Sequence, residues 1–166
     1  MRLGCPDERD LIPGYFHEVV WPEGQLLFAS AVYVHGSTAV DDIGLTLTLA
    51  HELQHFVQAT NTPNAMETHR ILKDLPALRA NPGTLWSDFP MEREARIVAK
   101  QVAEEIHGDH DVKQNLAKRV RDHDADAKDW QFVSGIDTSC PYDAIVETKL
   151  MAEKYGFSYP AETAHQ

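Results

Sequence analysis

The stretch that most constrains this chain is residues 41–61, DDIGLTLTLAHELQHFVQATN, which runs into Thr62-Pro63-Asn64. Asp41 or Asp42 can accept hydrogen bonds from the first unpaired amides of a helix, and the Asn61-Thr62-Pro63-Asn64 breaker stops it, so a helix is predicted as far as about residue 59. Leu45, Leu49, Ala50, Leu53, Phe56 and Val57 cover a broad arc of that helix, while Gly44, Leu47, Thr48 and Gln58 share the side that carries His51 and His55. A helix apolar over most of its girth packs on several sides. This segment is therefore expected inside the fold, with its two histidines facing a cleft.

The flanking sequence supplies the rest of the expected architecture. Residues 25–35 (QLLFASAVYVH) are rich in β-branched and aromatic side chains and end at Gly36, which reads as a strand, with a shorter one over residues 15–21. A second helix is predicted over residues 65–78, interrupted by Asn81-Pro82-Gly83. A third is capped by Ser87 or Asp88, carries Pro90 in its first turn and ends at His107 before Gly108. Val112, Leu116 and Val120 mark one further apolar stripe, and Ile145, Val146, Leu150 and Met151 another. The sum is the α+β class, a mostly helical domain with a small β-sheet. With neither a repeat nor a long linker in its 166 residues, the chain reads as a single domain, 1–166, large enough to bury a core without disulfides or a structural metal.

Charge narrows the partners. Asp and Glu number 26 against 15 Lys and Arg, a net charge of -11, which repels a phosphate backbone, so no nucleic acid is expected. No apolar run approaches the roughly 20 residues of a membrane span, and the N-terminus has no apolar signal region, so no membrane is expected either. Cys5 and Cys140 lie far apart in sequence, where a single closing bridge is one reading and two reduced thiols in a cytosolic protein is the preferred one, so the expected location is cytoplasmic.

The sharpest motif is His51-Glu52-Leu53-Gln54-His55. A helix advances about 100° per residue, so the two imidazoles lie one turn apart on one side and can reach one ion, with Glu52 beside them. Neutral ring nitrogens hold Zn2+, and an adjacent carboxylate can take a proton from a water that the ion acidifies. A catalytic zinc usually has three protein ligands. The metzincin extension would need Gly at position 58 and His at 61, where this chain has Gln58 and Asn61. A carboxylate from the later segment 88–96 is the remaining common solution. Glu92 and Glu94 flank the Ala95, Val98, Ala99 and Val102 stripe about equally, so the helical wheel leaves both open.

His51 to His55 followed by Glu92-Arg93-Glu94-Ala95 resembles the gluzincins, zincin metallopeptidases whose second helix supplies a glutamate ligand from a Glu-x-x-Ala segment. It is also similar to compact intracellular peptidases that cleave phage or stress repressors. The resemblance covers these two short segments. It implies a zincin-like fold, a peptide or protein substrate, zinc held by His51, His55 and Glu92, and Glu52 as the general base. Many of these families carry Asp or Asn four residues after the ligand glutamate, whereas this chain has Arg96, which cannot accept a hydrogen bond from a ligand histidine. Glu92 would otherwise be an ordinary helical ion pair with Arg96, worth a few tenths of a kcal/mol. Tyr142, Tyr155, Tyr159, His107, His110 and Arg96 are candidate donors to an oxyanion, and the strand over residues 25–35 could pair with an extended peptide along its edge.

Two other readings compete. One is a catalytically inactive module in which zinc only stabilises the domain. The other is a di-iron carboxylate bundle built on Glu52-x-x-His55 and Glu104-x-x-His107, which needs a further glutamate from each of two other helices. Glu92 and Glu104 share one predicted helix, so that bundle lacks donors. The 107–111 stretch is read as helix capping. Asp122, Asp124 and Asp126 lack the Gly and closing Glu of a calcium loop, and Trp21, Trp86 and Trp130 are read as packing anchors. No phosphate-binding loop and no Ser- or Cys-based nucleophile motif is present.

Overall fold

The computed structural model describes residues 14–19, 29–34, 41–81, 83–121, 127–136 and 141–159. Among the described residues, seven α-helices make the body: α1 (Asp42–Asn61), α2 (Pro63–Asp74), α3 (Pro76–Arg79), α4 (Pro90–His107), α5 (Asp109–Arg121), α6 (Ala127–Ser134) and α7 (Ala144–Lys154), with one 3-10 turn at Trp86–Asp88. The backbone of two strands, β1 (Gly14–Val19) and β2 (Ala29–Val34), pairs antiparallel from Gly14 opposite Val34 to Val19 opposite Ala29.

The α+β expectation is corrected by this arrangement. Among the described residues, the three clusters of buried apolar side chains are built from helices and from Phe89 just before α4, and no sheet forms a layer of the body. Among the described residues the extended chain is one two-stranded ribbon, without the third strand that would give a sheet its own buried face. It lies against α1. Of the two expected strands, Val20, Trp21, residues 25–28 and His35 lie outside the described residues, as do Cys5, Cys140, Asp122, Asp124 and Asp126. Among the described residues, no helix is long and apolar enough to cross a membrane.

Local chemistry sets the helix ends. Asp41 adopts extended backbone and its carboxylate accepts from the Ile43 amide at 3.2 Å, starting α1. Pro63 opens α2 at the first helical position, where its missing N–H costs no hydrogen bond. The helix expected over residues 65–78 breaks instead at Leu75, because the residue before Pro76 is driven into extended backbone. Asp88 does not cap α4; its carboxylate accepts from the Leu85 amide at 2.7 Å, within the 3-10 turn. Gly108 ends α4 with φ 88°, a conformation open to Gly at little cost.

Helices α1 and α4 form the central antiparallel pair: Thr46 meets His107 near one end and Gln58 meets Met91 near the other. Ala95, Ala99 and Ala103, spaced one turn apart on α4, are fully buried, and small side chains let the partner backbone come close. At the His107 end, Leu47, Ala99, Ala103, Val112, Leu116 and Trp130 close an apolar plug. Helix α7 differs from its expected stripe. It buries Ala144, Thr148 and Ala152, whereas Val146 and Leu150 are exposed.

Candidate metal centre

The opposite end of the α1 and α4 pair is polar and buried. His51 and His55 project from α1 toward Glu92, in the first turn of α4, and each of the three is less than a tenth exposed. Glu92 Oε2 lies 3.3 Å from His51 Nε2 and 3.4 Å from His55 Nε2, and the two nitrogens are 3.1 Å apart. One donor atom from each residue falls within 4.8 Å of the others, a spacing that could hold a metal ion.

A carboxamide fixes the orientation of His55. Gln58 Nε2 donates to the Met91 carbonyl at 2.9 Å and to Glu94 Oε2 at 2.7 Å; both can only accept, so Gln58 Oε1 is the atom facing His55 Nδ1 at 2.7 Å. That oxygen must receive a proton from His55 Nδ1. In the neutral ring His55 Nε2 is then the bare nitrogen, the tautomer a metal ligand requires, and in the protonated ring Nε2–H donates to Glu92 Oε2. Gln58 performs here the orienting task for which Arg96 is unsuited.

Electrostatics describe the same pocket. Burial pushes the His51 imidazole down to about 4, against the pull of Glu92, so this ring is neutral. Burial also opposes charge on His55, but the Glu92 carboxylate, Gln58 and the charge of Glu52 together outweigh it and raise its pKa. Glu92 is held well below the usual carboxylate range: burial works against its charge, and the bonds from His51, His55 and His69 prevail. Glu92 can only accept, so ring N–H groups answer its charge in this pocket, and a cation seated among the two ring nitrogens and Oε2 would take the place of those protons. The donor set, two imidazoles and one carboxylate, fits Zn2+.

The other sequence candidates separate cleanly. Glu94 belongs to the outer tier, accepting from Gln58 and, at 3.4 Å, from Gln54. Glu52 is buried on α1 and near enough to His55 for its charge to bear on that ring. Arg96 is buried with its guanidinium 4.9 Å from the Trp130 ring, and its charge bears on His51. His107 bonds Thr46 Oγ1 at 2.8 Å, and Glu104 pairs with Lys100 at 2.8 Å, at the far end of α4 from Glu92. Fifteen residues of helix separate Glu92 from His107 (107 - 92 = 15), about 22 Å along the axis, so the two ExxH motifs do not share a site. His110 faces Gln114 on the exposed side of α5. Tyr142 packs beside Arg93, with burial pushing its phenol up to about 12, while Tyr155 and Tyr159 lie beside Lys154 and Lys149.

Two participants were missed. His69, only 2% exposed on α2, places Nε2 3.3 Å from Glu92 Oε1, and Lys73 places Nζ 2.9 Å from the same oxygen. Their spacing of one helical turn was visible in the sequence, but α2 carries no motif that singles them out. No known family model, curated protein or solved structure matches this chain.

Proposed function

We propose that this chain is a zinc-dependent hydrolase in which His51, His55 and Glu92 hold the ion and Glu52 is the general base, with a peptide bond as its substrate. The observation that carries the reading is the convergence of one carboxylate oxygen and two ring nitrogens among buried residues, with a second buried carboxylate, Glu52, near enough for its charge to bear on His55. Peptide as substrate class rests on the likeness of 51–55 and 92–95 to the gluzincins. A bound zinc ion supplies a water acidified to a pKa of about 7 and a Lewis acid that polarises a carbonyl. Gln58, by accepting the hydrogen bond from His55 Nδ1–H, would leave Nε2 free to hold such an ion. Glu52 would accept the proton released as a water adds to the carbonyl carbon. It then delivers that proton to the leaving nitrogen as the C–N bond breaks, giving an acid and an amine.

Element analysis of protein purified without chelator, with a fluorogenic peptide library, tests this. The wild type is expected to carry about one zinc per chain and His51→Ala to lose it. Glu52→Gln should keep the metal and lose cleavage by at least about 100-fold. Zinc content unchanged in His51→Ala overturns the ligand assignment, and iron in place of zinc overturns the metal. Equal cleavage by Glu52→Gln overturns the base. A zinc-loaded wild type that cuts no peptide would instead be a zinc-holding module.

A further inference from the structure

His69 and Lys73 stand one turn apart on α2, and both address Glu92 Oε1, at 3.3 Å and 2.9 Å, while Oε2 of the same carboxylate faces His51 and His55. We infer that His69 and Lys73 are positioning residues that restrict Glu92 to one metal-facing oxygen, and so hold the centre to the low coordination number that suits zinc. This rests on the metal reading above.

The reason lies in lone pairs. A carboxylate oxygen offers about two acceptor directions. On Oε1 an ammonium and an imidazole N–H fill both, so chelation through both oxygens would break a charge-assisted bond. One oxygen and two imidazoles leave a tetrahedral ion a single open position. Two oxygens would raise the coordination number and favour ions that prefer oxygen-rich shells, such as Mn2+.

His69 is not a competing ligand in this arrangement. Glu92 can only accept, so His69 Nε2 carries the proton, and the bare nitrogen of the neutral ring is Nδ1, which is buried without a hydrogen-bond partner. Lys73 is itself held: its Nζ lies 4.4 Å from the Trp86 ring centroid, so the ammonium is gripped between an aromatic face and the carboxylate. The chain therefore spends a cation beside a cation site. That choice is explicable if the gain is direction for Glu92 rather than charge balance.

Full-length protein loaded with Co2+ provides the test, through its visible spectrum and through zinc affinity in competition with a chromophoric chelator. The wild type should show the intense bands of four-coordinate cobalt. Lys73→Met and His69→Leu should shift them toward the weak bands of five or six ligands and lower zinc affinity by about 10- to 100-fold. His69→Gln, which restores an N–H near the position of Nε2, should recover much of both. A wild type that takes up neither cobalt nor zinc overturns the metal reading itself. Four-coordinate bands and zinc affinity that survive unchanged in Lys73→Met and His69→Leu overturn this inference alone. Should His69→Leu fail to fold, Lys73→Met decides, because that side chain is 31% exposed and its loss leaves the core intact.

Discussion

The two sides of α1 reverse what their letters suggest. The side bearing Gly44, Thr48, His51, Glu52, His55 and Gln58 is buried, with Leu47 the only large aliphatic among them. On the other side Leu53, Phe56 and Val57 are 53%, 43% and 42% exposed. A face built from polar groups can be buried only when its hydrogen bonds are made internally. Glu92, Gln58 and Met91 satisfy that condition for most of this one. Burial of α1 thus follows partner supply, and apolar content alone is a poor guide to it.

The largest expected effect comes from removing the partner that the polar side depends on. Glu92→Ala, measured by urea unfolding in metal-free protein, should lower stability by about 3 kcal/mol, the lower end for breaking a buried charged network, because Lys73 can turn to solvent. A loss below about 1 kcal/mol would mean that the polar side is held by its backbone alone.

A matched pair of truncations sharpens the contrast. Leu47→Ala, at 1% exposure in the plug against Val112 and Leu116, should cost about 2–5 kcal/mol. Leu53→Ala on the open side should cost about 0.5 kcal/mol or less. Equal losses would show that the apolar arc is covered in solution.

The smallest effect concerns the start of the helix, where both sides begin. Burial pushes the Asp41 carboxyl up, but bonds from Asn115, the Gly44 amide and Arg119 outweigh it and lower its pKa below 3.8. A depressed folded pKa stabilises above the unfolded value and the benefit fades as pH falls through the folded one. Asp41→Ala should therefore cost about 1 kcal/mol at neutral pH, with the gap to wild type closing in acid as urea midpoints are followed downward from about pH 5. A constant gap would assign the loss to packing.

How much of this was legible in the sequence depends on range. Asp41 and Gly108 act within a few residues, so the helix ends they set could be read directly, whereas the start of α2 at Pro63 instead of residue 65, its break before Pro76, and the start of α4 after Phe89 instead of Ser87 or Asp88 differ from the sequence reading. The spacing of His51 and His55 is equally local. The choice of Glu92 over Glu94 was not, because it turns on which rim of α4 meets α1, and a helical wheel has no partner drawn on it. The class was misread because a β-branched run such as residues 25–35 signals extended backbone but not whether enough strands gather to make a layer. His69 and Lys73 stayed hidden for a related reason: their role exists only relative to an oxygen nineteen positions further on from Lys73 (92 - 73 = 19).

Glu92 also comes last in order of synthesis. His51, His55, His69 and Lys73 all leave the ribosome before it, three imidazoles and an ammonium with no common counter-charge. Neither α1 nor α2 can complete this pocket as it emerges. The carboxylate at the opening of α4 is the piece that gathers them, and every contact with it is long-range by the time it forms.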